Sequence, residues 1–156
     1  MINQDLLFNT NQGCFTYRVG ALIINDNKLL MAKNKEYPCY YTVGGGVRIN
    51  ETSEEAVIRE VLEETGFTLE IDRLAYVQER FIKISGQQYH EIRFFYLMKK
   101  SNINIIDNSF TDQGEKETLH WLPIDELAKL NVVPPFLQTR LANPIDVIEH
   151  IVSSEY

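Results

Sequence analysis

Glu60, Glu63 and Glu64 stand at i, i+3 and i+4, the spacing that gathers side chains onto one sector of a helix. Carboxylates gathered in this way repel one another unless a cation stands among them. An all-oxygen ligand set suits a hard divalent ion such as Mg2+ or Mn2+. At about 100° per residue, Ile58, Val61, Leu62 and Thr65 fall on the opposite side. The spacing therefore predicts a helix buried on its apolar side with its acids exposed.

The elements that must position these acids are written around them. Thr52 is an N-cap residue, Glu55 three residues later completes a capping box, and Glu54 and Glu55 suit the positive end of the helix dipole. Gly66 lies where a left-handed C-cap is needed. Upstream, Thr42-Val43 reads as the end of a strand, and Gly44-Gly45-Gly46 reads as a glycine loop that can turn a carbonyl or amide toward a metal or phosphate.

Read together, Gly45, Glu51, Arg59-Glu60, Val61, Glu63-Glu64, Gly66 and Phe67 fill every defined position of the pattern G-x5-E-x7-R-E-U-x-E-E-x-G-U, where U is a bulky apolar residue. A chance match is expected on the order of once in a billion starting positions. The chain resembles the Nudix hydrolase family, whose box this is. Phe67 departs slightly, since an aliphatic residue is commoner there.

The resemblance implies an α/β fold, a Nudix-type α/β/α sandwich around a mixed β-sheet, and hydrolysis of a pyrophosphate bond in a small nucleoside diphosphate-linked substrate with Mg2+ or Mn2+ as cofactor. It implies Glu60, Glu63 and Glu64 as metal ligands, directly or through water, with the Gly45 carbonyl as a further ligand. Glu60 is also the candidate general base. Arg59 is expected to orient the acids by pairing with Glu51; the plain alternative is a surface ion pair worth about 0–1 kcal/mol. Many family members add an acid from a late loop. Here Asp112 to Glu117 occupies that place, with Glu115 the candidate and Glu117 in reserve. A Nudix-like domain can also serve as a nucleotide sensor without turnover, and the intact acids favour the enzyme.

Composition bounds these readings. A chain of 156 residues suits one domain spanning 1–156. It has no apolar run approaching the roughly 20 residues that cross a membrane and no basic, apolar leader. Cys14 and Cys39 form no metal-ligand spacing and read as buried thiols, so a cytoplasmic location is expected. The formal charge of −7 and the scattered Lys and Arg argue against a grip on long nucleic acid, but not against a small phosphorylated nucleotide. The family includes dimers, and no residue demands a homodimer.

The remaining pattern predicts strands over Phe15–Asn25, Lys28–Lys33, Tyr40–Val43, Leu69–Ile84, Tyr89–Met98 and Leu119–Leu122. It predicts a short helix over Asp125–Leu130 and a last helical region from Pro134 through Ile145–Val152. Arg18, Arg80 and Arg93, in predicted strands, are candidate substrate-phosphate contacts because guanidinium binds phosphate bidentately. Tyr17, Tyr40, Phe81, Phe95 and Phe110 can stack on a base or fill the core. The proline and tyrosine that mark some family branches beyond the box are absent from Arg80-Phe81-Ile82-Lys83-Ile84. His90, His120 and His150 form no ligand pair.

Overall fold

Turn chemistry sets the first half of the sheet. The computed structural model describes residues 4–102, 104, 105, 107, 109–111 and 114–156, Glu115 by its backbone alone. Strand β1 (Leu7–Thr10) turns back into β2 (Gly13–Leu22), followed by β3 (Ile24–Asn25) and β4 (Lys28–Asn34). Asp26 and Asn27, at φ 49° and 57°, supply the two left-handed residues of the β3–β4 turn. Then come β5 (Tyr40–Gly46) and helix α1 (Ser53–Thr65). A long hairpin of β6 (Ile71–Ile84) and β7 (Gln87–Met98) turns at Ser85 and Gly86, both at positive φ. Next are β8 (Phe110–Thr111), β9 (Gly114–Pro123), a 3-10 helix (Ile124–Lys129), β10 (Val132–Val133), α2 (Leu137–Arg140) and β11 (Glu149–Glu155).

The strands lie in the order β11-β6-β7-β2-β5-β4-β9-β8. β7 runs parallel to β2 and β11 parallel to β6, while the other neighbours on this path are antiparallel, so the sheet is mixed. Its two faces carry separate cores. On one, Val19, Ala21, Val43 and Val47 pack with Ala56, Val57 and Val61 of α1. On the other, Leu22, Met31, Tyr76 and Phe95 pack with Leu127 and Leu137. Each fully buried side chain of this size is worth roughly 1.5–3 kcal/mol. The α/β class and mixed sheet match expectation. The second layer is thinner than a sandwich of full helices, because it consists of the 3-10 helix and a 4-residue α2. Among the described residues, no helix is long and apolar enough to cross a membrane.

The structure corrects several readings. Gly44–Gly46 are not a loop: they finish β5, with Gly46 opposite Arg18 and Gly45 opposite Val19 on β2. The region over Ile145–Val152 is not helical. Pro144 follows α2, and β11 then extends along the edge of β6, its residues alternating half-buried and exposed. Without it β6 would present a row of unpaired backbone groups. The apolar side of α1 is also rotated from the reading: Ala56, Val57 and Val61 are buried while Leu62 is 47% exposed. The rotation carries Glu60 toward the sheet. Of the two thiols, Cys14 is buried but Cys39 only partly so.

Candidate active site

Local capping marks both ends of α1. Glu55 N donates to Thr52 Oγ1 at 3.1 Å and Thr52 N donates to Glu55 Oε2 at 2.8 Å, the reciprocal capping box. At the other end Gly66 adopts φ 78°, where a side chain would be strained, and its N–H donates to the Leu62 carbonyl.

Between these caps Arg59 holds the acids. Its Nε donates to Glu51 Oε1 at 2.6 Å and its Nη2 to Glu51 Oε2 at 3.0 Å, a bidentate fork. Nη1 donates to Glu60 at 2.6 Å and to Glu63 at 3.3 Å, and Nη2 also reaches the Gly46 carbonyl at 3.0 Å. One guanidinium thus ties the helix, the loop before it and the end of β5 together. The Arg59, Glu51 and Glu60 side chains keep only 17%, 14% and 13% of their exposure, so this is not a solvated surface pair. Arg48 supports the cluster through its backbone N–H to Glu51 at 2.9 Å and its guanidinium 3.6 Å from Glu63. Glu64 accepts from Gly44 N at 3.3 Å.

The electrostatics follow from this packing. The Arg59 hydrogen bonds hold Glu51 below the usual carboxylate range. Burial pushes Glu60 upward against the pull of Arg59, with the charges of Glu63 and Asp5 adding to the rise. Arg59 itself is raised, chiefly by Glu51. Glu60 thus carries opposing influences, with burial the largest.

Gly45 makes the close approach possible. A Cβ there would stand 2.5 Å from Cδ and Oε1 of Glu60. We predict that Gly45→Ala folds normally, since its φ is not left-handed, yet loses about 10²-fold in turnover as Glu60 is displaced. Thermal melting beside steady-state rates checks this, and unchanged turnover would refute the close-approach argument.

Among the described residues, no three acidic, His or Cys side chains form a ready-made metal cage. Glu60 and Glu63 face Arg59, while Glu64 turns to Gly44. The donor chemistry nonetheless fits a hard divalent ion: the acids supply oxygen alone, and Glu60 is cradled against a glycine that leaves no room for a Cβ.

The other candidates are placed as follows. The Glu115 side chain lies outside the described residues, as do Asp112 and Gln113. Glu117 is buried and accepts a hydrogen bond from the Tyr41 hydroxyl. Arg18, Arg80 and Arg93 come together on the sheet face opposite α1, around Glu91, at 3.7, 3.9 and 2.9 Å. Of the aromatics, Phe95 is core, Tyr17 and Tyr40 pack against the cores, Phe81 packs on His90 and Phe110 is exposed. A cavity of about 290 Å3 lined by Arg18, Cys39, Tyr41, Gly44, Arg93 and Glu117 opens beside the glycine end of β5. Sequence reasoning missed Asp5, which bridges backbone to backbone with Arg48 and packs its carboxyl on Gly46. It also missed Glu91 as the meeting point of the arginines. Neither had a local signal, because both reach their partners through strand pairing.

A strand of glycines, a capped helix and an arginine-centred set of acids define the class. The NUDIX domain model matches residues 15–140, and the chain belongs to the Nudix family. It is 44% identical over 59 residues to an ADP-ribose pyrophosphatase of Methanocaldococcus jannaschii, a match covering 36% of this chain and only 35% of that relative. Among solved structures, a MutT NUDIX hydrolase from Burkholderia pseudomallei is 28% identical with TM-score 0.57, covering 71% of this chain and 84% of that one. A mutator MutT protein from Bacillus halodurans reaches TM-score 0.65 over 89% and 90% of the two chains; at 16% identity it speaks for the fold alone.

Proposed function

We propose that this protein is a divalent-metal-dependent hydrolase that cleaves a pyrophosphate bond in a small nucleoside diphosphate-linked substrate, releasing a nucleoside monophosphate or a similar product. The observation that carries this reading is the Arg59 cluster, which holds Glu51, Glu60 and Glu63 against the glycine end of β5. The relative named as an ADP-ribose pyrophosphatase supports the substrate class.

Glu60, Glu63, Glu64 and the Gly45 carbonyl would hold the metal. Mg2+ or Mn2+ supplies charge neutralisation of the anhydride and acidifies water when bound. The chain's own part is orientation and proton transfer. Arg59 fixes the Glu60 carboxylate, and Glu60, held above the usual range by burial, takes the proton of the attacking water. The water oxygen bonds to phosphorus, and the bridging P–O bond breaks with its electron pair leaving on the departing phosphate. The glycines exclude side chains from the approach.

The test is a hydrolysis screen with Mg2+ and with Mn2+ over nucleoside triphosphates, nucleotide sugars, ADP-ribose, dinucleoside polyphosphates and dinucleotide cofactors, with products separated by chromatography. One strongly preferred substrate, lost in Glu64→Gln, is the expected result. Tight nucleotide binding without turnover under either metal would replace the enzyme by a sensor.

A further inference from the structure

The sheet face opposite α1 changes character along its length. Strand register places Leu22, Phe95 and Tyr76 at one end, under α2, and Thr16, Arg18, Glu91, Arg93, Gln78 and Arg80 at the other. The charged end is enclosed. Arg93 is 9% exposed, lies over the Phe95 ring at 5.7 Å, and keeps its Nε buried with no hydrogen-bond partner among the described residues. Burial lowers Arg93 to about 10 against the supporting charge of Glu91. Thr16 Oγ1, Thr42 Oγ1 and Gln78 Oε1 are buried without partners in the same way.

Arg80 is engaged by Glu155 of β11 and lies 3.9 Å from Glu91. Arg93 takes Glu91 at 2.9 Å, which leaves Arg18 only a 3.7 Å approach to that carboxylate. Glu117 on the cavity wall is taken by the Tyr41 hydroxyl, and the least engaged guanidinium, Arg18, is 38% exposed and lines the 290 Å3 cavity with Arg93. On the far wall burial pushes the Cys39 thiol up, with the charges of Arg80 and Lys33 working against it. An unpartnered buried donor is destabilising unless a ligand completes it. A guanidinium fork completes best with phosphate or carboxylate.

The geometry points to a second anion subsite: the substrate carries a phosphate away from the scissile anhydride, held in this cavity by Arg18 and Arg93. This rests on the hydrolase reading for the position of the scissile bond, because the cavity meets the glycine end of β5 at Gly44. Strand register sets Arg18 opposite both Gly46 and Arg93, one strand spacing from each. Because the cavity ends at Gly44, whose N–H meets Glu64 of α1, one substrate can extend from the acids into it.

The test is calorimetric binding of nucleoside 3′,5′-bisphosphates against the matching 5′-monophosphates, in metal-free buffer of fixed ionic strength, with wild type and Arg18→Gln. Neither ligand contains an anhydride, so the result is independent of turnover. The bisphosphate is expected to bind at least about tenfold tighter, the worth of one charge-assisted hydrogen bond, and Arg18→Gln to abolish that preference. Equal affinities in wild type, no binding of either ligand, or an equal loss for both in Arg18→Gln would overturn the subsite. The last outcome would assign Arg18 to the phosphate common to both. If no anhydride is hydrolysed but the preference and its loss persist, the hydrolase reading fails and the anion subsite stands.

Discussion

Replacing Glu60 or Glu64 by glutamine lowers turnover by at least ~10²-fold while leaving the melting temperature and circular dichroism close to wild type. Glutamine keeps the shape and the acceptor oxygen of each side chain, so the Arg59 bond to residue 60 and the Gly44 bond to residue 64 survive in part. What is lost is charge and basicity. On the proposed mechanism, that removes the proton acceptor at Glu60 and a metal ligand at Glu64. The two variants also separate by metal dependence. Glu64→Gln requires more Mg2+ to reach half its maximal rate, whereas Glu60→Gln stays slow at any concentration. Rates near wild type in both variants would sink the assignment of this helix face.

Legibility from sequence followed the range of the interaction. The ends of α1 are written locally, Thr52 with Glu55 and Gly66 with Leu62, and the helix runs between them as read. The rotation of α1 was not legible. The pattern of apolar residues includes Leu62 as readily as Val57, and only the glycine end of β5 decides which side is drawn in. That one difference packs Glu60 at the helix–sheet seam, where Arg59 must compensate it, and leaves Glu63 exposed. Strand β11 and the hairpin strand β1 escaped for a related reason. Both are edge strands whose worth lies in covering a neighbour, β6 and β2 respectively. The convergence of Arg18, Arg80 and Arg93 is a matter of register between β2, β7 and β6, which no spacing along the chain records.

Arg59→Met is the variant that links the stability of this seam to its chemistry. In the metal-free protein Arg59 is the central cation among Glu51, Glu60 and Glu63, and methionine replaces its length and apolar stem but not its charge or five donors. Glu60 and Glu51 are then left with little exposure and less compensation, at a cost of about 2 kcal/mol or more. In a chain of this size that lowers the melting temperature by roughly 4–8 °C. On the proposed mechanism a divalent cation satisfies the same oxygens, so Mg2+ should raise the melting temperature of Arg59→Met more than that of wild type. Sodium chloride at equal ionic strength should not, because simple screening acts weakly on buried groups. Turnover should stay low even where stability is restored, since a cation neutralises the acids without fixing the Glu60 carboxylate in its orientation. Melting curves of both proteins in EDTA, Mg2+ and matched sodium chloride decide the matter. An unchanged melting temperature in EDTA would mean that Arg59 is not holding the seam. An equal Mg2+ response in the two proteins would mean that metal and guanidinium do not share these acids.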